Sequence, residues 1–171
     1  MRSIDITGKR NIDKIRNIKN PERKETIKWN LDDSYFTYNK QIQIINSLYL
    51  NQEQEQNILA KREISKKING YKSQDIQKEL LDLNRLISLD QTIEKLMVSK
   101  LKCFYCKENC ELLYKNTLAK KQWTLDRLNN EYGHNHDNVV ICCLECNIKK
   151  GEMDSDRFKQ GKEIKIIRKL F

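Results

Sequence analysis

The sequence predicts an α+β fold: a mainly helical first part, followed by a small hairpin-and-helix unit stapled by cysteines. Three observations lead there. Apolar residues recur at helical spacing between residues 39 and 99. Two C-x-x-C pairs, Cys103/Cys106 and Cys143/Cys146, bracket two short runs of strand-forming residues. One Pro and five Gly leave too few turns for an all-β chain.

Taken in order, residues 1–28 are polar and basic, with Asn20-Pro21 as a turn signal, and are expected to form a flexible tail. Trp29, Tyr35, Phe36 and Tyr38 form an aromatic cluster, either a docking face for the next helix or a surface for stacking bases. Ile42, Ile45 and Tyr49 predict a helix over 39–50. Residues 51–56 are a polar linker or a solvated first turn. A helix over 57–69, with Ile64 and Ile68 on one face, is expected to stop at Gly70. Ser73 is the candidate cap of a second helix, with Asp75 in its first turn and Ile76, Leu80, Leu83 and Leu86/Ile87 as its stripe. Ser88-Leu-Asp-Gln91 is a capping box opening a third, with Leu89, Ile93, Leu96 and Met97 apolar. Residues 29–99 thus read as a helical region that carries the unit over 100–151.

That unit holds all six cysteines and both histidines. Two C-x-x-C knuckles turn four sulfurs, those of Cys103, Cys106, Cys143 and Cys146, towards one tetrahedral centre, which predicts structural Zn²⁺. Disulfides are the alternative, but they need a secreted chain, and no apolar signal segment follows Met1. An intracellular, reducing compartment is therefore expected. Cys110 and Cys142 lack the knuckle spacing, and Cys142 would face the opposite side of its strand from Cys143. Residues 124–126 read as a strand delivering Asp126 at its end, and 138–142 as a second strand. A short helix then carries Asn147 and stops at Gly151. A carboxylate and an amide face each other across this unit, as a hard cation with oxygen ligands requires. Trp123, residues 111–114 and Leu118 are expected to pack around the strand pair. Residues 152–171 are a basic extension. Within it, Ser155 or Asp156 caps a last helix towards Arg168, or 163–167 forms a strand.

The net charge of +9 is concentrated at the ends. Residues 1–28 hold nine Lys/Arg against four Asp/Glu and 149–171 hold eight against four, leaving sixteen of each between. Such tails suit DNA, or RNA, as a partner, although solvated flanks give the same count. A membrane partner is not expected: no apolar run approaches a transmembrane length, and neither end forms a basic amphipathic helix.

The pattern Cys103-x-Tyr105-Cys106 … Leu125-Asp126-Arg127-x-x-Asn130-x-x-Gly133-His134-x-x-Asp137-Asn138-Val139-Val140-x-x-Cys143-x-x-Cys146-Asn147-x-x-Lys150 resembles the HNH, or ββα-metal, endonucleases. More narrowly, it is similar to a branch with Asp-Arg where most members have Asp-His, and to HNH proteins of large DNA viruses. A weaker likeness reaches back through Gly70-Tyr-Lys-Ser-Gln-Asp75. The resemblance implies a catalytic divalent cation, Mg²⁺ or Mn²⁺, held by Asp126 and Asn147. It makes Asn138 the loop brace that orients the general base.

Arg127 stands where that base is usually a histidine, and a guanidinium cannot take a proton. His134 is the candidate replacement, with His136 second, and Arg127 becomes a phosphate clamp. Lys149 and Lys150 are weaker candidates for phosphate contacts. The function implied is a metal-dependent endonuclease that hydrolyses phosphodiester bonds in DNA. Two alternatives are a zinc-stapled nucleic-acid-binding module without activity and a DNA-packaging protein.

Overall fold

The computed structural model describes residue 29 and residues 31–52 and 54–164. The basic tail over 1–28 and residues 165–171 of the C-terminal extension lie outside the described residues, and with them most of the alternative strand over 163–167, whose first residue, Glu163, is helical. A 3-10 turn, Asp33–Phe36, leads into α1, Tyr38–Tyr49, then α2, Glu55–Gln77, and α3, Leu89–Val98. The antiparallel strands β1, Trp123–Arg127, and β2, Val139–Cys143, follow, with α4, Leu144–Lys150, and α5, Ser155–Glu163. The architecture is mixed α+β, helical first and with the cysteine unit around the strands.

One core runs through both parts. Ile44, Ile45 and Leu48 of α1, Ala60 and Ile64 of α2, and Leu96 of α3 are continuous with Leu112, Leu113, Trp123, Leu125 and Ile141. Gln41 of α1 is buried and satisfied from both ends: its Nε2 donates to Leu113 O at 2.9 Å, and its Oε1 accepts from Leu112 N at 2.6 Å. A helix side chain thereby fixes the irregular segment before β1. The first aromatic cluster has a packing role: Trp29 meets Tyr114 edge-on at 5.2 Å, and Tyr38 Oη donates to Lys100 O at 2.7 Å.

The expected break at Gly70 does not occur. α2, 23 residues long, continues through it to Gln77, and its buried face runs Asn57, Ala60, Ile64, Ile68 and Asp75 at helical spacing. The stripe expected beyond Ser73 is absent, with Ile76 and Leu83 exposed. Ser73 bonds back to Asn69 O at 3.0 Å inside the helix instead of capping a new one. The true stops carry no glycine: α1, α2 and α3 are followed by Asn51, Glu79 and Lys100 at φ values of 53°, 58° and 51°. After each, two amides bond back into the last turn. For α2 these are Glu79 N to Ile76 O at 3.1 Å and Leu80 N to Asp75 O at 2.9 Å.

The capping box at Ser88 is present, with both reciprocal bonds. Gly151, at φ 55°, closes α4. Two local expectations are corrected. Asp154, not Ser155 or Asp156, caps α5 through a bond from Arg157 N. Leu118 is exposed rather than packed on the hairpin.

Candidate functional site

The hairpin brings the two knuckles together. Phe104 N donates to Ile141 O at 2.8 Å, which ties the first knuckle to β2, and Lys107, at φ 62°, turns the chain after Cys106. Cys143 ends β2 and caps α4, its Sγ accepting from Cys146 N at 3.4 Å. The sulfurs of Cys103, Cys106, Cys143 and Cys146 all lie within 4.8 Å of one another. Four thiolates around one zinc would stand about 3.8 Å apart, so the group needs only slight contraction to hold a structural metal such as zinc. Three of the four are buried and Cys106 is half-buried. Burial pushes the Cys146 thiol up to about 12, and a divalent cation among the sulfurs would reverse that preference. Cys110 and Cys142 stand outside the group; Cys142 Sγ lies 3.2 Å from Thr124 Oγ1.

Beside the hairpin lies a cleft of about 770 Å³, walled by α2, β1 and α4. Asp126, Arg127, His134 and Asn147 all line it. Asp126 pairs with Val140 across the sheet and is 5% exposed. Tyr105 Oη donates to its Oδ2 at 2.5 Å, and Lys150 Nζ stands 3.4 Å from Oδ1 and 3.3 Å from Oδ2. Asn147 Nδ2 donates to Thr124 Oγ1 at 3.0 Å and Leu125 O at 3.1 Å. That commits its amide nitrogen to β1 and leaves its carbonyl oxygen for a ligand. Asp126 and Asn147 thus bring a carboxylate and an amide oxygen, both hard donors, to one cleft, with both carboxylate oxygens already bonded to Tyr105 or Lys150. Lys150 is not available for phosphate: its side chain is fully buried on Asp126 and also donates to Arg127 O at 3.1 Å. Lys149 is exposed and paired with Glu145 at 2.7 Å.

The loop between the strands separates the two histidines. His134 is buried in the cleft wall, its ring stacked on Tyr71 at 4.5 Å between centroids and its Nδ1 2.7 Å from Asp75 Oδ1. Burial lowers its pKa below 6.5 despite the opposing pull of Asp75. His136 is exposed and lines a different groove, between α3 and β2. Asn138 ties the loop's two ends: its Oδ1 accepts from Asn129 N at 2.9 Å, and its Nδ2 donates to Asn129 O at 2.9 Å and Gly133 O at 3.1 Å. Asn138 therefore holds backbone next to His134, while the imidazole itself is held by Asp75. Arg127 Nη1 donates to Asn130 O at 3.3 Å and Tyr132 O at 3.1 Å, which leaves the other guanidinium donors uncommitted by these contacts.

Sequence reasoning misses Tyr71 in the cleft and Asp75 and Tyr105 behind it, and gives Lys150 to phosphate rather than to Asp126. Tyr105 and Lys150 stand inside the HNH-like pattern, where nothing in their spacing shows that they hold Asp126. Asp75 and Tyr71 stand in its lead-in, where helical periodicity gives them no chemistry.

No helix among the described residues is long and apolar enough to cross a membrane. No family model and no solved structure matches the chain. Over 94 residues it is 36% identical to an uncharacterized protein of Acanthamoeba polyphaga mimivirus. The match covers 55% of this chain but 15% of the viral protein, so the chain corresponds to a small part of that relative's length. The similarity accords with the viral affinity that the motif suggests.

Proposed function

We propose that this protein is an HNH-type endonuclease that hydrolyses phosphodiester bonds in DNA, with zinc on the four cysteines and Mg²⁺ or Mn²⁺ on Asp126 and Asn147. The observation that carries this reading is the convergence of Asp126, Arg127, His134 and Asn147 on one cleft, from the end of β1, the loop and α4. When bound, the divalent cation would polarise the scissile phosphate and offset charge on the leaving oxygen. The chain's own residues divide the remaining work. Tyr105 and Lys150 hold the Asp126 carboxylate in one orientation. Neutral His134 accepts the proton of the attacking water, and its lowered pKa keeps it neutral near pH 7. Arg127 binds the phosphate through permanent charge and planar donor geometry.

One observation favours the second reading, a zinc-stapled nucleic-acid-binding or packaging module without activity. The only charged partner of Asp126 among the described residues is Lys150, so the carboxylate is already neutralised within the fold. Plasmid nicking separates the two. Supercoiled DNA should be nicked with Mg²⁺ or Mn²⁺ and spared with EDTA. DNA that stays intact across a metal and pH screen, while binding zinc-loaded folded protein, would select the inactive module.

A further inference from the structure

Asp75 sits in the last turn of α2 and is 1% exposed, yet both oxygens of its carboxylate serve one residue. Oδ2 accepts from the backbone N of His134 at 2.7 Å, and Oδ1 lies 2.7 Å from His134 Nδ1. The approach is close enough to dictate the neighbour. A Cβ on Gly133 would stand 2.8 Å from Asp75 Oδ2 and 2.5 Å from Leu80 O. One helical turn earlier, Tyr71 stacks on the imidazole with its ring inclined by 27°. Its hydroxyl accepts from Leu125 N at 2.9 Å, next to Asp126 in β1. An ionised carboxylate only accepts hydrogen bonds, so the proton between Asp75 and His134 belongs to Nδ1. The lone pair of the neutral ring is then on Nε2.

We propose that Asp75 is a positioning residue: it locks His134 in the Nδ1–H tautomer and leaves Nε2 as the proton acceptor of the cleft, with Tyr71 fixing the ring plane. The catalytic half of this inference rests on the endonuclease reading. In that reaction the water oxygen forms the new bond to phosphorus and its proton passes to Nε2. The bond to the leaving sugar oxygen breaks with its electron pair, and that oxygen takes up a proton from solvent. Asp75 then faces the imidazolium and stabilises its charge without being protonated itself.

The test uses the full zinc-loaded chain with ¹⁵N-labelled histidine. With two histidines, a His136→Gln background leaves His134 alone in the spectrum. The expected spectrum has Nδ1 protonated and Nε2 bare, and Asp75→Asn should shift the ring towards the other tautomer, because an amide can present N–H to Nδ1. A protonated Nε2 in that ring with Asp75 intact overturns the inference, and that reading needs no substitution in the buried Asp75–His134 pair; only the exposed His136 is replaced. In nicking assays Asp75→Asn should lower the rate at saturating DNA by about 100-fold or more, in the range of a lost general base, with half-saturation little changed. It should add nothing further to His134→Ala, since the two act as a unit. Additive losses would instead make Asp75 a loop anchor only, and overturn its positioning role. If wild-type protein does not nick at all, the endonuclease reading fails, while the nitrogen spectrum still decides the tautomer.

Discussion

Two histidines two residues apart have opposite environments. His134 is buried between Tyr71 and Asp75 at the cleft, and His136 is exposed on another face. His134→Ala should therefore reduce nicking by about 100-fold or more, the usual worth of a general base. His136→Ala should leave it within a few-fold; the reverse ranking in rates would exchange their roles. The pH dependence has a definite sign. Burial places the His134 pKa below its ordinary 6.5, so the base form persists as pH falls through 6.5. The acid limb of the nicking rate should have its midpoint below 6.5, and a midpoint above it contradicts the assignment. For stability the same shift means that the unfolded chain takes up this proton first. This group's contribution is constant above 6.5 and turns unfavourable as pH falls from there to the folded pKa.

Two glycines act in opposite ways on the elements around the cleft. Gly70 lies inside α2, where an added Cβ would meet nothing within 4 Å, so it contributes only backbone freedom. Gly70→Ala should stabilise the fold by about 0.5–1 kcal/mol, measured by denaturant unfolding. Gly133→Ala would force its Cβ to 2.5 Å from Leu80 O, shifting the loop off α2. It should cost roughly 1–3 kcal/mol, as overpacking does, and slow nicking because His134 moves with the loop. Equal effects at the two positions would refute this account of α2 and its docking loop. The same contrast explains what the sequence conceals. α1, α3, the hairpin and α4 are legible from periodicity, a capping box, β-branched runs and Gly151. The extent of α2 is not, because its misleading signal is Gly70 and its real stop is Glu79, an ordinary residue forced to φ 58°. The buried face also changes from Ile68 to Asp75, so hydrophobic periodicity could not follow it.

At the scale of the molecule, the thiol group and the cleft share one hairpin, Tyr105 of the first knuckle reaching Asp126 in the cleft, and the chain's core passes from the helices into that hairpin. The four cysteines are legible from spacing alone. The clamp on His134 is not, since Asp75 and His134 are 59 residues apart and only the packing of α2 beneath the loop joins them. Removing metal with a strong chelator should lower the melting temperature steeply, since structural zinc supplies on the order of 10 kcal/mol in small thiolate sites. Cys146→Ser should do the same and reduce metal content below one per chain. Unchanged melting in both cases would remove the staple from the account. The most direct measurement of the central claim is Mg²⁺-dependent nicking of supercoiled plasmid by wild type and Asp126→Ala, both verified to carry zinc. The account predicts nicking by the wild type, none with EDTA and none by the variant; equal cutting by the two zinc-loaded proteins would contradict it.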